Sequence, residues 1–400
     1  MDATTVGVDL AKNVFQIAVA DARGHIVERH RLSRARFEVF FGNRAACRIV
    51  MEACGSAHHH ARRLRDLGHD VILLPAQYVR AYVRRNKTDA ADAAALIEAS
   101  RCQDIRPVPI KSVEQQAIQQ LHRLRSQWMQ ARTARINFLR GALRKFGVIV
   151  PVGAARAVES VRNVLSDGSS PVPILLHASF LDLLSEIATL EQQCRGVERE
   201  LARLNEQDLV VQRLLEIPGV GPLTATALRA SVVDVQRFPS GRHFASWLGL
   251  TSREHSSGEK RRLGRISKQG DCYLRTLLVH GARAVLNAAR GARARGKTLD
   301  RLRSWALELH ERCGHNKAAV ALANKLARIV WATWRYARSF SCGYHTHPFT
   351  LDCANGYRRS STIEVSPDVR DDGGCRAHVL ALRHFPADAA AMVTAFPAAR

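Results

Sequence analysis

The chain has 400 residues, length for two or three domains at roughly 100–200 residues each. Lys and Arg number 60 against 36 Asp and Glu, a formal charge of +24, with 46% hydrophobic residues. That balance excludes a strongly acidic or low-hydrophobicity disordered chain and favours a polyanionic partner, nucleic acid before anionic membrane. No uncharged apolar run reaches about 18 residues, and the N-terminus shows neither a basic n-region nor an apolar h-region. The expectation is therefore no membrane partner and a cytoplasmic, nucleoid-associated protein. Nine irregularly spaced cysteines read as reduced thiols.

In chain order, residues 5–10 (TVGVDL), 14–20 (VFQIAVA) and 25–32 read as strands joined by short turns, an antiparallel meander. A helix is expected over 35–42, a strand over 47–51 and a helix over 56–67. The strand at 71–74 is apolar on both faces, as in a buried parallel sheet. Three antiparallel strands followed by strand, helix, strand is the order of an RNase H-like fold. Residues 88–101 read as a helix with Thr88 or Asp89 as N-cap. Pro107 and Pro109 break the pattern, and a long amphipathic helix covers 113–146.

Between residues 115 and 158 there is no Asp or Glu but there are eight cations, Arg123, Arg125, Arg132, Arg135, Arg140, Arg144, Lys145 and Arg156. A single-sign helix repels itself unless an anion neutralises it, which makes this stretch a candidate surface for a nucleic-acid backbone. After a polar joint at 166–173, residues 180–204 carry apolar side chains at coiled-coil-like spacing. The simplest partner is the first long helix; a dimer contact is the alternative. Residues 211–336 read as almost wholly helical with a basic loop in the middle, and the last sixty residues lack periodicity. The division is thus 1–112, 113–205, 206–340 and a tail of unknown role at 341–400.

Asp9 lies in the first strand on the face opposite Val6, Val8 and Leu10. Glu52 follows the fourth strand; if that strand lies beside the first, the two acids are neighbours. Asp89 and Asp92, at i and i+3, share one face of a helix start. Each acid alone is more often structural, an N-cap or a satisfied strand carboxylate. Four converging acids need cations, and a pair of Mg2+ ions, with Mn2+ as a substitute, would neutralise them and activate an oxygen nucleophile on a phosphodiester.

Two features mark the helical unit. Ile217-Pro218-Gly219-Val220-Gly221-Pro222 reads as a helix-hairpin-helix turn, whose free N–H groups bind a DNA phosphate; a plain interhelical turn is the alternative. The loop GLTSREHSSGEKRRLGRISKQG interleaves hydroxyls with Lys260, Arg261, Arg262, Arg265 and Lys268. A serine there could attack a phosphodiester while the cations stabilise the developing charge. The chemistry does not choose among Ser252, Ser256, Ser257 and Ser267. The run His58-His59-His60 beside Cys54 cannot turn three adjacent rings to one ion, and Cys342, His345, His347 and Cys353 lack zinc spacing.

The runs GVDLAKNVFQIAVAD, MEACGSAHHHAR and KTDAADA, followed by the basic serine loop, resemble the DEDD transposases of bacterial insertion sequences. The family is that of insertion sequence 110, and the wording is closest to its 1111 branch. The resemblance runs from about residue 5 to residue 338. It implies an α/β plus α architecture: an N-terminal RuvC/RNase H-like domain, a long helical, coiled-coil-like linker and a mostly helical C-terminal transposase domain. It places the four catalytic, metal-holding acids on Asp9, Glu52, Asp89 and Asp92, and the nucleophile on Ser257. It also implies DNA cleavage and strand exchange on element ends and target, a structured guide RNA, and a homodimer or homotetramer. Two positions depart from the pattern: His60 stands where the family commonly has Trp, and Ser252 where it usually has Pro. The rivals are an RNase H-like structure-specific nuclease without a covalent intermediate, an actin/hexokinase-type kinase, and a non-catalytic nucleic-acid-binding protein. The kinase needs a second Gly-rich phosphate loop, for which only Asp371-Asp372-Gly373-Gly374 offers itself.

Overall fold

The computed structural model describes residues 4–82, 89–258 and 260–341, with the backbone alone at 89 and 90. The tail features, including Cys342, His345, His347, Cys353 and the Asp371 string, lie outside the described residues.

The first unit is a five-stranded sheet of β1 (Thr5–Leu10), β2 (Val14–Ala20), β3 (Ile26–Ser33), β4 (Arg48–Glu52) and β5 (Asp70–Leu74), in the order β3-β2-β1-β4-β5. β1 is antiparallel to β2 and parallel to β4, which is parallel to β5. Alternation along the strands sorts the side chains. Val6, Val8, Phe15, Ile17, Ile49 and Met51 face α1 (Arg34–Gly42) and α2 (Ala57–Asp66) in one core. The short α3 (Ala76–Val79) and the longer α4 (Asp89–Ser100) cover the other face through Ala18, Ala20, Val50 and Leu74. The edge strand β3 carries Glu28, Arg29, His30 and Arg31, charges that discourage pairing with a further strand. His60 of α2 is 3% exposed and packs edge-on against Phe15 and Phe37, with neither ring nitrogen hydrogen-bonded.

The second unit is helical: α5 (Val113–Arg144), α6 (Ala154–Ser166) and α7 (His177–Gln207). Ser112 opens α5 with a capping box, its hydroxyl accepting from Gln115 N while the Gln115 side chain accepts from Ser112 N, both at 3.1 Å. Helix α6, absent from the sequence expectation, buries Ala157, Val161 and Leu165 against Ile136, Leu139 and Leu143.

The α5–α7 contact supplies the anions that the acid-free stretch lacks. Arg125 pairs with Glu198 at 2.6 Å, Arg132 with Glu191 at 2.9 Å, and Arg135 with Glu186. Ascending numbers on α5 meet descending numbers on α7, so the helices run antiparallel within one chain. Arg132 and Arg135, expected to face a polyanion, are each ion-paired with a carboxylate of the same chain. Arg123 is exposed.

The third unit contains α8 (Leu209–Leu215), α9 (Pro222–Ser231), α10 (Gly241–Trp247), a hairpin of β6 (Ser252–Glu254) and β7 (Leu263–Ile266), then α11 (Cys272–Ala294), α12 (Arg301–Cys313) and α13 (His315–Arg335). Its apolar core centres on Leu278, Leu286, Leu322, Leu326, Phe244 and Trp331. The expected basic loop is thus a β-hairpin. Its seven strand residues are all exposed or half-exposed, so no buried face writes an alternating pattern. His122 of α5 joins the units, its ring bonded to Tyr273 Oη at 2.9 Å and Thr226 Oγ1 at 3.1 Å. Among the described residues no helix is long and apolar enough to cross a membrane, and the six described cysteines are free thiols.

Candidate active site

The β1–β4 register aligns Val8 with Met51, so the next residues along the parallel pair are Asp9 and Glu52. Asp9 lies opposite Gln16 of β2, and Glu52 opposite Leu74 of β5. Both acids lie two residues on from positions that face α4, Gly7 and Val50. They therefore share the α4 side, at the carboxyl ends of β1 and β4. Here the chain changes sides about β1, the switch-point position where open α/β sheets bind ligands.

Helix α4 is placed by two contacts. Gly7 meets it without a side chain: a Cβ there would come within 2.1 Å of Ala93 O and 3.0 Å of Ile97 Cγ1. Just beyond its C-terminus, Arg101 Nη1 donates to Arg23 O at 2.7 Å, at the β2–β3 turn. That turn lies at the end of the sheet where β1 begins, since Thr5 pairs with Ala20. Helix α4 therefore runs antiparallel to β1, and its N-terminal turn comes down at the end that carries Asp9 and Glu52. Half-buried Asp92 directly precedes Ala93, and Asp89 is the first residue of the helix. The fold thus brings Asp9, Glu52 and the start of α4 to one corner. The side chain of Asp89 lies outside the described residues. Among those described, no three His, Cys, Asp or Glu side chains stand close enough to hold one ion. The donor type fits Mg2+ or Mn2+: carboxylate oxygens are hard ligands, with no thiolate or imidazole among the four.

The histidine run does not assemble a metal site. His58 Nδ1 accepts from Lys111 N at 3.2 Å, and His60 is walled in by aromatic rings. Burial, with Lys111 and Arg62 beside it, lowers the His58 pKa to about 4; burial, then His59, does the same for His60.

The serine hairpin is fixed at its root and open at its tip. A Cβ on Gly249 would fall 2.1 Å from Gln269 O, and one on Gly270 1.9 Å from Trp247 O, so the two ends cross backbone against backbone. Arg275 Nη1 donates to Leu248 O at 3.0 Å, and Asn324 Nδ2 donates to Leu250 O at 3.1 Å. At the tip Ser257 N donates to Lys260 O and Lys260 N to Ser257 O, around Gly258 at φ +57°.

The candidate hydroxyls differ in their bonds. Ser256 Oγ donates to Glu254 Oε1 at 2.7 Å and accepts from Arg262 N at 3.1 Å. Ser267 Oγ accepts from Gln269 N at 3.4 Å. The Ser257 side chain is exposed at the turn, and its hydroxyl has no hydrogen-bond partner among the described residues. Lys260, Arg261 and Arg262 are exposed next to it along the chain, Arg265 is exposed on β7, and Lys268 is exposed at the root; Arg261 approaches Glu254 at 3.5 Å.

The Gly219–Gly221 turn joins α8 to α9. Gly219 has φ +85°, and a Cβ on Gly281 of α11 would come within 1.9 Å of Gly219 O, so part of the glycine signature serves close helix packing. Gly221 caps α9 without a side-chain bond, and the turn opens onto a shallow cleft bordered by His280 and Arg303.

Two family models match the chain. One, described as "Transposase", covers residues 6–147, and one described as "Transposase IS116/IS110/IS902 family" covers residues 211–297. A "Probable family 20 transposase" of Pseudomonas aeruginosa is 45% identical over 83% of this chain and 97% of its own length. The transposase of insertion sequence element IS1111A from Coxiella burnetii is 37% identical over 86% of this chain and 92% of its own length. That of IS1328 from Yersinia enterocolitica is 35% identical over 84% and 98%. The protein is therefore a DNA-transfer enzyme, and the chain belongs to the IS116/IS110/IS902 family of insertion-sequence transposases.

Proposed function

We propose that the chain cleaves and rejoins DNA at the ends of its element through a composite site on a RuvC/RNase H-like sheet and the serine hairpin. The observation that carries this reading is the β1–β4 register beside Asp9 and Glu52, with α4 descending antiparallel so that Asp89 and Asp92 arrive at the same corner. Asp9, Glu52, Asp89 and Asp92 would hold Mg2+, which when bound supplies charge neutralisation at the scissile phosphate. Ser257 presents its Oγ at the tip of the hairpin, where bound DNA can reach it. Attack of Ser257 Oγ on phosphorus forms a serine–phosphate bond and breaks the bond to the bridging strand oxygen, which takes a proton from solvent to become a free hydroxyl end, while the serine proton passes to solvent. Lys260, Arg261, Arg262, Arg265 and Lys268 offset the charge on the phosphate oxygens. Gly219 and Gly221 present backbone N–H groups to a flanking phosphate, and Arg123 meets the backbone of DNA or a guide RNA. Strand exchange calls for several DNA ends held together, hence a homodimer or homotetramer acting at the nucleoid in the cytoplasm.

The test is incubation of the protein with element-flank DNA, the element's transcribed RNA and Mg2+, followed by denaturing gels for protein–DNA adducts. Adducts are expected from wild type and from Ser256→Ala, and none from Ser257→Ala, Asp9→Asn or Asp92→Asn. Metal-dependent nicking that survives Ser257→Ala without adducts would instead establish the nuclease reading.

A further inference from the structure

A second cationic surface lies outside the hairpin, on the face where α10, α12 and α13 meet. Arg242 opens α10, Arg328 and Lys325 stand one turn apart on α13, and Arg301 opens α12. The helices are pressed together here: a Cβ on Gly241 would lie 3.1 Å from Arg328 Cα. Lys325 Nζ sits 4.0 Å from the centroid of the Trp305 ring, a cation–π contact that holds the ammonium in place. Arg242 and Arg301 are exposed; Lys325 and Arg328 are half-buried, and Arg328 Nε is buried without a hydrogen-bond partner.

The neighbours of these groups are other cations. Burial, then Arg328 and Arg301, lowers the pKa of Lys325; burial, then Arg242, lowers that of Arg328. Among the described residues none of the four is ion-paired to a carboxylate. Asp300, next to Arg301 in sequence, is taken by Arg303. Four neighbouring like charges, two of them half-buried, are held at a cost that an external polyanion would offset. This contrasts with α5, where the cations are matched by Glu186, Glu191 and Glu198 of α7.

We infer that the Arg242–Arg328–Lys325–Arg301 line is a phosphate track for duplex DNA, which seats the duplex flanking the strand that Ser257 attacks. Duplex DNA is favoured because the track adjoins the hairpin root. Asn324, the residue before Lys325, holds Leu250 O, and Leu250 to Ser257 is seven residues, at most about 25 Å of extended chain. That is roughly seven base pairs at 3.4 Å per step. A duplex engaged at the hairpin tip is thus within about seven base pairs' reach of the track. The inference rests on the serine–DNA chemistry proposed above.

The experiment uses full-length Ser257→Ala protein in EDTA, so that no strand is cut, and reads anisotropy of a labelled random-sequence duplex across a salt series. Adding R242Q/R301Q, two exposed changes that leave the core intact, should weaken binding and flatten the log K against log salt slope by about 1.8, or 0.9 per lost phosphate contact. R242K/R301K should restore both. Unchanged slope and affinity in the glutamine variant would overturn the track while leaving the serine chemistry standing. An effect confined to a structured RNA probe would overturn the assignment to duplex DNA. Failure of the Ser257→Ala parent itself to bind any duplex would remove the DNA-cleavage reading along with the track.

Discussion

Replacing Gly7 by Ala tests whether the sheet–helix contact positions the carboxylates. The added Cβ would lie 2.1 Å from Ala93 O, a backbone atom that cannot swing aside as a side chain would. Ordinary contact requires a separation of about 3.5 Å, so α4 must retreat by on the order of 1 Å. Overpacking of this kind costs about 1–3 kcal/mol, each worth roughly 2–4 °C of Tm in a domain of 150–250 residues. Because the displaced helix carries Asp92, misplacement of about 1 Å should also lower the rate of DNA cleavage by about 10²-fold. Thermal unfolding and adduct formation per folded molecule, compared with Gly42→Ala, separate the effects; nothing lies within 4 Å of a Cβ at Gly42. A Gly7→Ala protein with wild-type Tm would refute the packing argument. One with lowered Tm and unchanged cleavage would refute the positioning argument alone.

Acid should weaken the fold through buried His60 and His122 and half-buried His58. His58, His60 and His122 have pKa values lowered to about 4 from an ordinary 6.5, chiefly by burial. The unfolded chain takes up protons that the fold refuses between those values, so Tm should hold above about pH 7 and fall from pH 6.5 toward 4. His60→Phe, which removes two unbonded ring nitrogens from an aromatic pocket, should make the fall shallower; an unchanged pH profile would refute this. R132Q/R135Q should lower Tm by a few degrees and leave the salt slope of DNA binding intact, because both cations are already matched by α7; a slope change near 1.8 would put them on DNA instead. Gly281→Ala should destabilise the third unit strongly, its Cβ falling 1.9 Å from Gly219 O, and a urea midpoint equal to wild type would contradict the contact.

What the sequence discloses depends on which elements own a buried face. Val6 and Val8 alternate with Gly7 and Asp9, so β1 and the outward turn of its acid are readable from the alternation alone. The register that sets Glu52 beside Asp9 is also accessible once β4 is taken as the parallel neighbour. The antiparallel course of α4 is not, because it depends on Gly7 meeting Ala93 and on Arg101 reaching Arg23. Helix α6 escapes a reading by charge, since the acid-free, basic stretch ends inside it, while its apolar positions Ala157, Val161 and Leu165 carry the helical period. The acids of α7 meet the α5 arginines only when taken in reverse order, at intervals of 7 and 5 residues against 7 and 3, a match invisible until the helices are known to pair antiparallel. The serine hairpin leaves little signal: three- and four-residue strands in solvent have no core to pattern them. The choice of Ser257 over Ser256 rests on resemblance, and the structure adds that Ser256 is already bonded to Glu254 and Arg262.

The zipping of α5 onto α7 has an effect at long range. With Arg125, Arg132 and Arg135 cancelled inside the molecule, the surplus of positive charge is concentrated elsewhere: residues 206–340 hold 24 Lys and Arg against ten Asp and Glu. Such a body has a leading side. A surplus of that size attracts a polyanion to this unit ahead of contact, an attraction that added electrolyte screens.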